Sequence, residues 1–146
     1  MSLESAALLE PLSVAIHATR RASIEQGDTA IVFGAGTVGL LVAAMARMSG
    51  ATTVVIADVD SGRVNYALSN GFANKSYIVT PRRHLNDTAE KLASAKEIAS
   101  DMTQIASLND PDFEGADVTF DCTGKEICMQ AGLYVGHTNE SPTCTV

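Results

Sequence analysis

Three glycines break the apolar run IVFGAGTVGL at residues 31–40, and no charged residue stands among them. Gly34, Gly36 and Gly39 have the GxGxxG spacing of a strand-to-helix turn that can hold a phosphate. The first glycine permits the tight turn, the second lets a pyrophosphate approach the backbone with no Cβ in the way, and the third lets the helix lie close to the strand. The helix beginning near Thr37 would point free N–H groups and the positive end of its dipole at the phosphates. Asp58, nineteen residues past Gly39, is placed to accept hydrogen bonds from the hydroxyls of an adenosine ribose. The glycines alone would also serve a plain tight turn, and Asp58 a solvated strand end. A methyltransferase pairs similar glycines with a ribose-binding acid, but its loop usually has an acidic residue two places before the first glycine, where this chain has Val32.

These residues need a scaffold, and the chain supplies one in alternating pieces. Pro11 can open a helix over about 11–22, with Leu12, Ala15, Ile16 and Thr19 on one face. Gly27 and Asp28 form a turn, residues 29–33 a short apolar strand, and residues 37–48 an apolar helix stopped before Gly50. A second buried strand is expected over 52–57 and a helix over 62–69, closed by Asn70 and Gly71. Strand, helix, strand, helix is the pattern of a parallel sheet with crossovers. Further on, a strand over 76–79 ends at Pro81, and a helix over 87–105 would bury Leu92, Ala95, Ala99, Met102 and Ile105. A loop at 109–112, a strand over 116–120 and a helix over 126–134 follow, while GHTNESPTCTV at 136–146 has too few apolar residues to specify a core element. The fold class is α/β, a doubly wound parallel sheet of Rossmann type.

Composition narrows the partners. With 146 residues and 46% apolar content, the chain is sized for one domain with a real core. A net charge of −7 without a dense Lys/Arg tract argues against nucleic acid and against an anionic membrane surface. Residues 29–46 carry no charge, but strand-forming Ile31, Val32 and Phe33 and the three glycines disfavour a membrane-spanning helix there. Cys122, Cys128 and Cys144 are odd in number and form no CxxC pair, which fits a reducing compartment, so the cytoplasm is the expected location. The start lacks a basic n-region and carries Glu4, Glu10 and Pro11, unlike a secretory signal. The glycosylation patterns at Asn74 and Asn86 are then chance matches.

Four segments, ALLEPLSVAIHA, VFGAGTVGLLVAAMAR, VVIADVDSGRVNYA and VTFDCTG, stand in an order and at separations that resemble the cofactor domain of zinc-dependent medium-chain dehydrogenases. The branch it resembles most is that of the sorbitol, xylitol and arabinitol dehydrogenases, and the likeness covers about residues 6–135. It implies a lead-in and linking helix over 1–26, an NAD-binding domain over 27–135 and an irregular tail over 136–146. It implies NAD as cofactor, a polyol as substrate and hydride transfer from a secondary alcohol, and it leaves open a homo-oligomer for the complete enzyme. Gly34, Gly36 and Gly39 would form the pyrophosphate turn with Thr37 at the helix start and Val38 packing at the cofactor. Asp58 would bind the adenosine ribose, Arg63 would lie against the adenine, where a guanidinium can stack, and Thr123 would lie near the adenosine side of the cleft. The alternative for Arg63 is a solvated helix residue.

The same resemblance places Glu10 of the EP motif beside the catalytic zinc, while its alternative role is a carboxylate favoured by the helix dipole. Preceding Pro11, it is expected to be extended at the helix entrance. His17, two helical turns on, is read as a packed core residue and Cys122 as a small buried one. The family's other zinc ligands belong to a preceding catalytic domain that is not among these residues, and 136–146 stands where the family has a Gly-Gly turn and a sixth strand. The sheet is therefore expected to be incomplete at its C-terminal edge, and zinc to be held by the complete enzyme rather than by this chain alone, which is expected to be inactive by itself. A non-catalytic NAD-binding or protein-interaction module is the alternative.

Overall fold

The computed structural model describes residues 6–80, 87–108, 110, 113–136 and 143–144. Among the described residues these elements follow one another: α1 Leu9–Arg21, β1 Thr29–Phe33, α2 Thr37–Ser49, β2 Thr53–Asp58, α3 Ser61–Ser69, β3 Lys75–Ile78, α4 Thr88–Ala106, β4 Val118–Asp121, α5 Glu126–Val135 and β5 Thr143–Cys144. All strand pairs are parallel, in the order β3-β2-β1-β4-β5. The strand order reverses at β1: the chain winds outward through β2 and β3, then returns to lay β4 on the other side of β1. In open α/β sheets, the carboxyl ends of the strands flanking such a reversal form a crevice.

Period-two alternation decides which side chains face which helices. Ala30 and Val32 of β1, Val54 and Ile56 of β2, and Val118 and Phe120 of β4 join one buried cluster with Ala15 and Ala18 of α1, Val42 and Ala46 of α2, and Ala67 of α3. Ile31, Phe33, Val55 and Ala57 face the opposite way, against Ala95, Ile98, Ala99 and Met102 of α4 and Ala131 and Val135 of α5. The sheet is thus buried on both faces, which is why its strands read as unbroken apolar runs.

Several boundaries differ from the sequence reading. The first helix begins at Leu9, so Glu10 is helical rather than extended, and Pro11 sits inside the first turn, where its missing N–H still costs no hydrogen bond. His17 is exposed instead of packed; Ala15, Ala18 and Thr19 fill the buried face. On α4, Ala95, Ala99 and Met102 are buried as expected, joined by Ser94, Ile98 and Ala106, while Leu92 and Ile105 are half-buried. The strand expected over 116–120 shifts to Val118–Asp121, and Ala116 makes only a single parallel bridge to Gly136. Thr143 and Cys144, in the tail expected to be irregular, pair with Val118 and Thr119. Adding a strand to an exposed sheet edge uses backbone N–H and C=O groups, which side-chain composition does not report. Among the described residues, β5 pairs with the edge of β4 at Val118 and Thr119. Pro81 and most of the expected 109–112 loop lie outside the described residues.

The turn after β1 has almost no free space. Gly34 has φ +101°, a left-handed conformation that favours glycine. A Cβ on Gly39 would stand 1.9 Å from the Gly34 carbonyl oxygen, so helix α2 can lie this close to the strand only with glycine at that position. Gly36 is different: a Cβ there would meet nothing within 4 Å. Gly39→Ala is therefore expected to cost about 2 kcal/mol or more, as overpacking does. Gly36→Ala should cost no more than about 1 kcal/mol, the scale of a helix N-cap change. Urea unfolding of the two variants measures the difference, and equal midpoints would contradict it.

Candidate cofactor cleft

Two turns meet at the crevice, one after β1 and one after β4. Gly34 donates its N–H to the Ala57 carbonyl at 2.7 Å, and Cys122 donates to the Phe33 carbonyl at 2.9 Å, so both turns leave the sheet in register. They also run close together: a Cβ added to Gly34 would lie 3.1 Å from the Cys122 carbonyl oxygen and 3.1 Å from Thr123 Cγ2. Beyond them opens a cavity of about 710 Å³ that runs from the glycine turn past the ends of β1 and β2 toward α4 and α5. Gly34, Gly36, Asp58, Arg63 and Thr123 all line it.

Asp58 ends β2 and reaches back to the glycine turn. Its Oδ2 accepts the Ala35 N–H at 2.7 Å, and its Oδ1 accepts the Asp60 N–H at 2.9 Å. The carboxylate is thereby held at the cavity wall, and two oxygens with about four lone-pair sites leave capacity for further donors. Asp60 in turn caps α3, accepting the Arg63 N–H at 3.1 Å, which fixes the backbone that carries the Arg63 guanidinium into the cavity wall. On the other side, Asp121 Oδ1 accepts from Thr123 Oγ1 at 2.6 Å and from the Thr123 N–H at 2.9 Å, and Thr123 Oγ1 accepts the Lys125 N–H at 3.0 Å.

The remaining sequence candidates do not line the cavity. Gly39 is buried beneath the turn, Val38 is half-buried against the α1/α2 side of the core, and Thr37 is exposed at the first position of α2. Their backbone still matters, because the opening N–H groups of α2 lack intrahelical partners; the first i to i−4 bond there runs from Leu40 to Gly36. Glu10 is exposed in the first turn of α1 and is not part of the cavity. His17 lies seven residues further, roughly 10 Å along the helix axis, too far to share a small ion with it. Among the described residues, no three His, Cys, Asp or Glu side chains group closely enough to hold a metal ion.

Other lining residues were not singled out from sequence. Val59 follows Asp58 directly and Lys125 follows the DCTG turn, so adjacency to a recognised motif was the available signal. Lys91, Ser94 and Ile98 come from α4, which reads in sequence only as an amphipathic helix. Lys91 pairs with Glu126 across the rim at 3.3 Å. No helix among the described residues is long and apolar enough to cross a membrane.

Residues 37–139 match the model of the zinc-binding dehydrogenase family. The chain belongs to that family. It is 34% identical over 135 residues to D-xylulose reductase A of Aspergillus niger and 33% identical over 133 residues to sorbitol dehydrogenase 1 of Saccharomyces cerevisiae. These matches cover 92% and 91% of the chain but only 33% of each relative, so the chain spans about a third of the length of the curated relatives it matches. Among solved structures, 2R,3R-butanediol dehydrogenase from Bacillus subtilis aligns with a TM-score of 0.63 and 29% identity over 94% of this chain and 33% of its own. Galactitol-1-phosphate dehydrogenase from Escherichia coli has a TM-score of 0.66 at 23% identity, over 94% and 34%, which is a likeness of fold. A further neighbour, from Sinorhizobium meliloti, was solved bound to NADP.

In this zinc-binding dehydrogenase domain, both described cysteines of the cleft are held as thiols. Burial, and then the negative charge of Asp121, push Cys122 from an ordinary value of 9.0 up to about 12. Cys128 is also raised, mainly by burial and against the opposing pull of its hydrogen bond with Thr123. Cys122 was expected to be buried; it is half-buried at the cavity wall instead. Between pH 9.0 and about 12 the unfolded chain releases the Cys122 proton while the folded chain retains it, so stability falls as pH rises through that window. Cys122→Ala should flatten the alkaline decline in urea-unfolding free energy. An unchanged slope would show that the thiol ionises equally in both states.

Proposed function

We propose that this chain is the NAD-binding portion of a polyol dehydrogenase of the sorbitol, xylitol and arabinitol type, transferring hydride from a secondary alcohol to NAD. The observation that carries the reading is Asp58: a carboxylate on the cavity wall, tied through Ala35 to the glycine turn at 2.7 Å. Ribose and pyrophosphate would then be bound by one connected unit. Bound NAD would supply the hydride acceptor; the residues of this chain bind and orient it. Gly36 leaves the space above the turn open to the pyrophosphate, and the opening N–H groups of α2 at Thr37, Val38 and Gly39 donate toward it. Asp58 accepts from the ribose hydroxyls, Arg63 lies against the adenine, and Thr123 borders the adenosine half from the opposite turn. The cleft sits at the strand-order reversal, where such ligands bind in open α/β sheets.

Glu10 stands apart from this cleft, so no zinc-dependent step is assigned to these residues. Taken alone, the chain fits NAD binding without turnover, and polyol chemistry belongs to the complete enzyme. A reducing, cytoplasmic setting and a homo-oligomeric complete enzyme accompany the reading.

Purified chain is expected to prefer NADH to NADPH, because Asp58 would repel a 2′-phosphate and accept from a 2′-hydroxyl. Asp58→Ala should weaken NADH binding about tenfold, on the scale of hydrogen bonds to a charged group, and should narrow the preference. Gly36→Val should abolish binding while leaving the circular dichroism spectrum unchanged, since the new side chain enters the open space above the turn. Retained binding in that variant would reduce the turn to a structural role. With zinc supplied, sorbitol or xylitol and NAD should yield no NADH. Zinc-dependent turnover lost on Glu10→Gln would overturn that expectation.

A further inference from the structure

We propose that Asp121 is a positioning residue: its buried carboxylate holds the β4–α5 turn, Cys122 to Lys125, as the fixed wall opposite the glycine turn. The inference rests on the dinucleotide reading of the cleft, to which it adds a residue that does not itself line the cavity.

Asp121 is only 2% exposed, an unusual position for a carboxylate with no cationic partner among the described residues. Its Oδ2 has no hydrogen-bond partner among the described residues. All of its polar work passes through Oδ1, which accepts from the Thr123 N–H at 2.9 Å and from Thr123 Oγ1 at 2.6 Å. A buried acid with one oxygen left unpaired is costly to keep, and a packed apolar residue would bury with less penalty. What the carboxylate supplies is geometry. By accepting the Thr123 O–H hydrogen bond it leaves the Thr123 Oγ1 lone pairs facing forward, where they accept the Lys125 N–H at 3.0 Å. Lys125 is the N-cap of α5, and its own side chain makes no capping bond. The order of the turn therefore runs from Asp121 through Thr123 to Lys125.

The placement of Thr123 has a consequence across the cleft. Its Cγ2 would lie 3.1 Å from a Cβ added to Gly34, so the hydroxyl that is fixed behind sets the methyl that abuts the glycine turn in front. Thr123, Lys125 and Glu126 then line one side of the cavity while Gly34, Asp58 and Arg63 line the other. Loosening the turn leaves the sheet intact, because Cys122 N–H still bonds the Phe33 carbonyl, yet it lets one wall drift from the other. A loss of orientation of this kind weakens binding without removing any ligand contact.

The full 146-residue chain is tested in two ways: amide hydrogen exchange without ligand, and titration with NADH. Asp121→Ala should speed exchange at Thr123 and Lys125 while β1 and β2 amides keep their protection, and should weaken NADH binding about tenfold. Asp121→Asn, which loses the charge but keeps an Oδ1 acceptor, should restore both readouts to within about threefold of the parent. Thr123→Val is nearly isosteric, so it should fold even where Asp121→Ala does not, and should expose the Lys125 amide. Parent-like protection of Lys125 in Thr123→Val, or of Thr123 in Asp121→Ala, overturns the assignment. So does an Asn variant as weak as the Ala variant, which would make the side chain a matter of charge or folding rather than of a placed acceptor. If the parent fails to bind NADH while the amides respond as stated, the dinucleotide reading falls and the Asp121 assignment stands.

Discussion

The close approach of Gly39 to the carbonyl of Gly34 is the constraint from which the remaining geometry follows. With 1.9 Å from a hypothetical Gly39 Cβ to that oxygen, no other residue type lets α2 begin so near the end of β1. Because α2 starts there, its opening N–H groups emerge beside the strand ends, and the turn is short enough for Asp58 to reach Ala35 from the neighbouring strand. A wider turn would separate the helix dipole from the carboxylate. Two ligand-facing groups of opposite character, N–H donors and an acceptor, are thus held together by one steric condition.

That condition also separates two glycines of the turn, Gly36 and Gly39, which have opposite neighbourhoods. A Cβ on Gly39 would meet the Gly34 carbonyl, whereas one on Gly36 would meet nothing within 4 Å. The distinction is invisible in the string GAGTVG, in which the glycines look equivalent. A packed structure separates the one whose Cβ has no room from the one whose Cβ would enter open space.

How much could be read beforehand follows the same division between local and distant causes. The strand, turn and helix around residues 29–49 were legible because periodicity and glycine spacing are local, and Asp58 because its offset from the turn is set by one crossover. Arg63 and Thr123 were reached only through the resemblance of their motifs to a family. Lys91, Ser94 and Ile98 were not legible at all, since α4 approaches the cleft after a crossover whose landing place depends on the whole sheet. The first helix was misjudged at its start because a proline signal was read as position one, though any of the first-turn positions tolerates it. The short β5 escaped because edge pairing draws on backbone groups alone.

The overall charge of −7 would seem to oppose an anionic pyrophosphate, and a comparison of length scales resolves the point. Screening confines exposed charges to about 8 Å at physiological ionic strength, so the summed charge of the surface has little influence within the cleft. What a phosphate would meet there is local: the N-terminal N–H groups of α2, with Arg63 and Lys125 along the wall. Asp58 and Glu126 share that wall, but one has its oxygens turned onto backbone N–H donors and the other is paired with Lys91. The Glu126 charge is therefore offset at the rim, while Asp58 keeps its charge at the end of β2. The same net charge that disfavours nucleic acid and anionic membranes is compatible with a single buried pyrophosphate, because non-specific partners feel the whole surface and a cleft ligand feels only the groups that touch it.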